Sequence, residues 1–418
     1  MTSPAAPPRW MTPYVVFVSL WAITIGVLPS TALGALSPFI VEELAISRGV
    51  FGQLYAVFHL SGVLFGFLAG RFVDAFGARR SMFVMATCTI VGVTVIVTSN
   101  HALILALGCF LAGIAFAGAN PGTNTLLAGH LPAGRIRNLA LGIKQGGIPL
   151  AAVLAGAVIT SGASRFGWRV SYGVLIVAGV LIFVALLLPL QQRPTASPVP
   201  QATATVVEHN RRALLILAVF GFGMGSGTSQ MLAYFTLYLV ESSQGFDPVT
   251  AGYIFSAVGA MGIVGRVVWS VSTNASRQWP NLILVSSGAA VTAIALVLEV
   301  ALSPLMIVFL VLTTGIFVLG WSGAFQVALV LESGTRVGRG SGIAYTGFSL
   351  GLMMGPAVFG QVLDTFDSYR AAWLIVLTSF LIASVAAVYG RASANRHPSP
   401  ARSVGSESGH APPGRDVR

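Results

Sequence analysis

The chain has 418 residues, 55% of them hydrophobic and only 8% charged, with a mean hydropathy of +0.84. A soluble protein carries about a quarter charged residues, so a water-soluble multidomain enzyme is excluded, and so is a disordered chain. The formal charge of +11 does not indicate a nucleic-acid binder, because the cations sit in short gaps between long apolar runs and form no solvated basic face. What remains is an all-α polytopic membrane protein.

A spanning helix needs about 20 apolar residues. Apolar runs bounded by charge or by Pro and Gly clusters predict twelve transmembrane helices, at roughly 14–38, 50–70, 81–99, 102–127, 138–161, 169–190, 213–240, 249–272, 280–301, 304–330, 340–363 and 370–390. The first run is long for a signal-peptide core and is interrupted by Pro29 and Pro38, so it is expected to be an uncleaved helix. The fullest polar stretch lies between runs six and seven and contains Pro194, Pro198 and Pro200. The expected organisation is a six-helix half over 1–190, a cytoplasmic linker over 191–212, a second six-helix half over 213–390 and a disordered cytoplasmic tail over 391–418.

Orientation follows from the arginine bias of the connections. Only Arg48, Arg165, Arg169 and Arg370 fall on the side opposite the N-terminus, whereas Arg71, Arg79, Arg80, Arg135, Arg137, Arg211, Arg212 and Arg277 fall on its own side. Both termini are therefore expected in the cytoplasm, with the protein multi-pass in the inner (cytoplasmic) membrane and surrounded by lipid. Cys88 and Cys109 lie inside apolar runs and read as small buried residues, not as a disulfide or metal site.

The two halves repeat at one offset. Gly52 and Gly62 align with Gly252 and Gly262, and Gly142, Gly147 and Leu150 align with Gly342, Gly347 and Leu350. Blocks on corresponding helices sharing an offset of 200 residues indicate two pseudo-symmetric six-helix halves, as many transporter folds have.

The connection after the second run reads Gly70-Arg71-Phe72-Val73-Asp74-Ala75-Phe76-Gly77-Ala78-Arg79-Arg80. It resembles the signature loop of the major facilitator superfamily, G-x-x-x-D-R-x-G-R-[RK]-[RK], matching at Gly70, Asp74, Gly77, Arg79 and Arg80 and departing at Ala75 and Ala78. The resemblance covers the whole chain and implies a secondary transporter. Asp74 would act as a conformational latch, its carboxylate capping the start of helix eleven near Arg339 and Gly340. The bland alternative is a solvated loop carboxylate. The helix-four arginine typical of the proton-antiport members is missing, since Cys109 stands four residues before Gly113. Gly146-Gly147-Ile148-Pro149 only partly resembles their helix-five motif.

Ionisable groups inside spans are costly and usually face a cavity or a partner. Here they are His59, Lys144 and Arg266, with Glu299 and Glu332 near span ends, where they read as boundary charges. Lys144 is the only lysine in the chain. At about 1.5 Å per residue, Lys144 and Arg266 each lie roughly 9 Å from the cytoplasmic edge. The resemblance places helices five and eight across the seam from one another, which would bring both cations to one level.

No Asp or Glu lies mid-span to offset them, so the missing negative charge is expected to be the substrate. The spacing of Phe255, Gly259, Gly262 and Arg266 puts them on one helix face, and the offset gives Tyr55, His59, Gly62 and Gly66 as its counterpart. The expected substrate-binding residues are Lys144, Arg266, His59, Tyr55, Gln145, Asn120 and Tyr345. Asn124, Gln230, Tyr234 and Gln326 are further cavity candidates. Snorkelling of the two cations to headgroups and ordinary packing of His59 are the competing explanations.

There is no nucleotide-binding loop, no nucleophile elbow and no metal-ligand spacing, so no catalytic residue, metal or cofactor is expected, and the protein is not expected to be an enzyme. The expected function is symport of a small organic anion, with a carboxylate as the leading group, across the cell membrane by a monomer that alternates access. The proton is the expected coupling ion, because the substrate's own carboxylate can carry it, and anion exchange is the open alternative. The alternative is efflux of hydrophobic compounds or drugs by proton antiport, which normally wants an intramembrane acid. A non-transporting membrane receptor is a third reading, and it predicts no flux of any solute.

Overall fold

A computed structural model describes residues 10–131, 135–187, 210–242, 245–333 and 337–396. The described regular elements are all helical. Twelve helices are long and apolar enough to cross a membrane, and they are numbered here as spans 1 to 12. Spans 1 to 6 are Met11–Ala35, Arg48–Gly66, Leu68–Thr98, Ala102–His130, Leu139–Phe166 and Trp168–Leu187. Spans 7 to 12 are Arg211–Glu241, Pro248–Ser272, Gln278–Val297, Pro304–Ser333, Gly342–Phe366 and Tyr369–Arg396. A short helix, Ser37–Leu44, links spans 1 and 2.

Several helix starts are written in the sequence as caps, in which a side-chain oxygen accepts an otherwise orphaned backbone N–H. The Ser47 hydroxyl accepts the Val50 N–H at 3.2 Å before span 2, and Asn210 accepts the Ala213 N–H at 3.2 Å before span 7. Asp247 accepts the Val249 and Thr250 N–H groups at 3.0 Å, followed by Pro248 in the first turn of span 8. Ser303 and Pro304 repeat that arrangement for span 10.

Three boundaries differ from the sequence expectation. Residues 70–80 are not an open loop. Helical turns run from Arg48 to a break at Gly77 (φ 80, ψ 162), a conformation that glycine tolerates, and a second helix continues from there to Thr98. Arg211 and Arg212 belong to span 7 and not to the linker, whose residues 191–209 lie outside the described residues. Span 12 continues to Arg396, so the first six residues assigned to a disordered tail are helical, and 397–418 lie outside the described residues.

The repeat is visible as packing. A Cβ added to Gly52 on span 2 would lie 2.3 Å from the Pro356 carbonyl oxygen on span 11, and one on Gly252 of span 8 would lie 2.8 Å from the Gly156 oxygen on span 5. Both contacts join the same pair of positions displaced by 200. Gly147 likewise meets Leu20 and Thr24 of span 1, while Gly347 meets Ala218 of span 7. Lipid gives helices no hydrophobic reason to associate, so close approaches of bare backbone, which maximise dispersion contact, hold the spans together both across the seam and within each half.

The two seams between halves differ. Spans 5 and 8 touch along their length, from Ser161 and Tyr253 (hydroxyls 3.2 Å apart) through Ser256, which donates to the Val153 carbonyl at 3.1 Å, to Arg266 and Gln145. Spans 2 and 11 approach closely at the Arg48 end, where Gly49 and Gly52 face Gln361, Asp364 and Pro356. Further along, Gly66 and Gly70 on one side and Gly342 on the other have open space where a side chain would be. Near Arg48 one apolar core runs through both halves, joining Phe51, Tyr55 and Phe58 to Tyr234, Phe235 and Phe359. Toward Asp74 the first half closes a separate core of its own from Met11, Val15, Met82, Leu126 and Leu186.

These contacts predict a contrast. Gly52→Ala should lower the detergent-solubilised melting temperature by several degrees, the consequence of about 1–3 kcal/mol of overpacking, whereas Gly66→Ala should leave it unchanged. Thermal unfolding followed by intrinsic fluorescence measures both, and equal tolerance at the two positions would contradict the packing described.

Candidate functional site

Lys144 is the next-to-last residue of the helical segment Arg135–Gln145, which leads into span 5. Its side chain is 1% exposed. The ammonium donates to Thr123 Oγ1 at 2.9 Å, to Asn124 Oδ1 at 2.5 Å and, more distantly, to Asn120 Oδ1 at 3.5 Å. All three acceptors lie on span 4, and 120, 123 and 124 fall on one helix face by their 3 and 4 spacing. They are neutral, so they orient and solvate the cation without cancelling it.

Gln145 extends the cluster. Its Nε2 donates to Asn120 Oδ1 at 3.0 Å, so one amide oxygen accepts from neighbouring residues of span 5. Its backbone carbonyl accepts Arg266 Nη1 at 2.7 Å from span 8. Arg266 Nη2 lies 3.4 Å from the Leu319 carbonyl of span 10, and Nε is buried with no partner. The predicted convergence of Lys144 and Arg266 is therefore present as a chain through Asn120 and Gln145. Neither cation has an acidic partner: the ion pairs among the described residues are Arg48 with Glu241 and Asp367, and Arg169 with Glu43.

Span 10 explains how Arg266 finds a second carbonyl. Residues Thr314–Leu319 form a π-helical turn, which releases carbonyls from their regular ladder. Trp269 Nε1 takes the Ile316 carbonyl at 2.9 Å and Thr228 Oγ1 takes that of Val318 at 3.0 Å, leaving Leu319 to Arg266. Tyr345 stands at the repeat position of Gln145, and its hydroxyl accepts from the Gln326 amide on span 10.

His59 and Tyr55 do not join this chain. The His59 ring is 5% exposed and is enclosed by Tyr55, Phe58 and Phe116 at centroid distances of 5.3, 5.1 and 5.5 Å. Its Nδ1 and the Tyr55 hydroxyl are buried without a partner. The face carrying Phe255, Gly259, Gly262 and Arg266 was expected to open on a cavity. Only its Arg266 end bonds polar groups, because Gly259 and Gly262 abut Pro149 and pack the seam shut. Gln230 is fully buried against Ser226, to which it donates at 2.8 Å. Tyr234 donates to the Arg48 carbonyl at 2.7 Å and so closes the Arg48 end.

The signature segment is exposed at Asp74, to which no described residue donates a hydrogen bond, and the side chains of 334–341, where its partner was expected, lie outside the described residues. Arg79 is engaged elsewhere: it donates to the Leu186 and Leu187 carbonyls at 2.8 and 3.1 Å and caps the end of span 6. Glu332, expected to be a boundary charge, is 6% exposed and accepts Gln278 Nε2 at 2.7 Å and Asn210 Nδ2 at 3.1 Å.

A second polar cluster escaped the sequence reading. At the Arg48 end, Arg48 bonds Glu241 at 2.9 Å and Asp367 at 3.1 Å, and the Asp364 carboxylate accepts the Gly49 N–H at 2.9 Å. The acids belong to the second half and the cation to the first. The available signal was the expected contact of Asp74 with the start of helix eleven, which implies that helices two and eleven also meet at their opposite ends.

The sequence profile described as Major Facilitator Superfamily matches residues 15–334.

The chain belongs to the major facilitator superfamily.

A hexuronate transporter of Bacillus subtilis is 22% identical over 404 residues, covering 90% of this chain and 93% of that protein. A probable sulfoacetate transporter of Cupriavidus necator is 24% identical over 376 residues, covering 81% and 84%. Among solved structures, a bacterial homologue of the human lysosomal transporter Spinster superposes with a TM-score of 0.70 in an inward-facing, unoccupied conformation, at 15% identity, covering 92% of this chain and 97% of that one. The inward-facing, occupied form gives 0.68, covering 94% and 98%. This superfamily member is thus a multi-pass membrane transporter and not an enzyme.

The neutral cage makes a stability prediction. Asn120→Ala with Asn124→Ala leaves a buried ammonium with one acceptor and should destabilise by about 3–5 kcal/mol, as for other uncompensated buried charges. Lys144→Met removes the charge with its need for partners and should cost much less. Melting temperatures in detergent measure the order, and a larger loss for Lys144→Met would contradict it.

Proposed function

We propose that this protein is a secondary transporter of a small organic anion, with a carboxylate as the leading group, working by alternating access in the inner membrane. The observation that carries this reading is the pair of interior cations, Lys144 and Arg266, held only by neutral acceptors. A carboxylate arriving between them forms hydrogen bonds in which donor and acceptor are both ionised, adding a direct Coulombic attraction that the present neutral acceptors do not supply. The relatives named for hexuronate and sulfoacetate transport support an anionic cargo. Asn120, Gln145 and Tyr345 would then read its neutral groups, with the orphaned polar atoms of His59 and Tyr55 further along the same half.

Coupling to protons fits an interior without an acid beside these cations, since the substrate carboxylate itself can enter protonated. Each chain carries both halves and therefore a whole path, which supports a monomer. With both termini in the cytoplasm, as the arginine bias indicates, the joined Arg48 end faces outward and the parted Asp74 end faces inward. Spans 2 and 11 would then act as a balance. Asp364 caps the start of span 2 in the state described here, and Asp74 would cap the start of span 11 when the inner side closes.

Uptake into vesicles containing the purified protein, under an imposed pH gradient, tests the assignment. Carboxylates should accumulate, and Lys144→Ala and Arg266→Ala should each reduce uptake at least tenfold without loss of folded protein. Transport of organic cations with no competition from carboxylates would overturn it. The balance gives a separate expectation: Asp364→Asn should favour the state open at the Arg48 end, Asp74→Asn the state open at its own end, and both should slow turnover several-fold without changing which substrates compete. Cysteine accessibility at each end reads the populations, and shifts in the same direction would contradict the scheme.

A further inference from the structure

Span 5 is broken beside the two cations. The segment Arg135–Gln145 stops, Gly146 bonds back to the Ile143 carbonyl at 3.0 Å, and the segment Gly147–Leu154 begins. In a continuous helix the Gln145 carbonyl would accept the N–H of the residue four further on. That residue is Pro149, which has no N–H to give.

The acceptor left open does not stay empty, because Arg266 of the other half fills it at 2.7 Å. Pro149 also sets the distance at which this happens. A Cβ on Gly259 would lie 2.9 Å from the Pro149 oxygen, and one on Gly262 would lie 3.3 Å from its Cβ. Span 8 thus rests against the proline, and Arg266, one turn beyond Gly262, reaches the carbonyl below it. The guanidinium spends its donors on two backbone oxygens of different halves, and its Nε is buried and unpaired.

We propose that Pro149 is a positioning residue for transport: it withholds an N–H so that the Gln145 carbonyl holds Arg266 while the site is empty, and the incoming anion takes Arg266 from that carbonyl. This rests on the anion reading above and adds how binding is converted into movement. The Arg266 to Gln145 bond ties the first half to the second at the level of the site. A carboxylate is a stronger acceptor than a neutral carbonyl, so exchange favours the anion and undoes the tie. The halves are released only when cargo is bound. Neither Gln145 nor Pro149 needs to touch the substrate through its ring or backbone for this to work.

The test uses the full chain with Cys88→Ser and Cys109→Ser, carrying spin labels at Leu139→Cys and Val330→Cys, both exposed near the Asp74 end of their halves. Pro149→Ala supplies the missing N–H, so the tie weakens. Without any ligand, the ratio of short to long inter-label distances should rise about fivefold, the equivalent of about 1 kcal/mol for one hydrogen bond. D-glucuronate and sulfoacetate, used as probes, should bind about fivefold tighter. In an Arg266→Ala background, Pro149→Ala should add nothing, which separates the tie from simple straightening of span 5. An unchanged distance distribution, or a shift of the same size without Arg266, overturns the proposal. Should the distances respond as stated while neither probe binds the unmodified protein, the tie stands and the anion reading falls.

Discussion

The structure turns on positive charge that the protein itself does not neutralise. Lys144 and Arg266 are held inside a membrane bundle by amide oxygens, a hydroxyl and two backbone carbonyls. Such acceptors stabilise an ion locally but leave its field intact. In the described interior no carboxylate pairs with either cation, whereas at the Arg48 end Glu241 and Asp367 of the second half pair with Arg48 of the first. The division of labour is physical. Opposite charges join the two halves at one end, while the interior cations are braced by dipoles alone and, in the reading proposed above, await an anion.

Irregular backbone supplies much of that bracing. A regular helix satisfies its own carbonyls and has none to offer, so a span that must hold a cation without an acid has to be interrupted. Pro149 interrupts span 5, and the π-helical turn Thr314–Leu319 interrupts span 10. Each break releases carbonyls, and the groups that take them, Arg266, Trp269 and Thr228, come from neighbouring spans. Away from the two cations, glycines let neighbouring spans approach closely, as at Gly52 with Pro356 and at Gly252 with Gly156, the latter inside a second π-helical turn, Ala155–Ile159.

Much of the architecture was legible in the sequence because it depends on local pattern. Twelve apolar runs became twelve spans, and the 200-residue offset reappeared as equivalent glycine contacts. The helical course of residues 70–80 was not legible, since polar residues at a membrane edge suit a helix as well as a loop. Of the site, Lys144, Arg266, Gln145 and Asn120 were named and form one chain, whereas His59 and Tyr55 were placed with them by repeat symmetry and instead face aromatic rings. Arg48, Asp364 and Asp367 were missed as a cluster because their contacts join residues more than 300 positions apart. The acceptor of Arg266 is a main-chain oxygen, which no side-chain pattern records, although a proline four residues after Gln145 was there to be read.

If Lys144 and Arg266 receive the cargo as proposed, recognition must depend on its charge before its shape. Calorimetric titration of the purified transporter with D-glucuronate and with its uncharged methyl ester isolates that dependence, because the two differ little in size. The account predicts measurable binding of the acid and at least a hundredfold weaker binding of the ester. Equal affinity for both would contradict it.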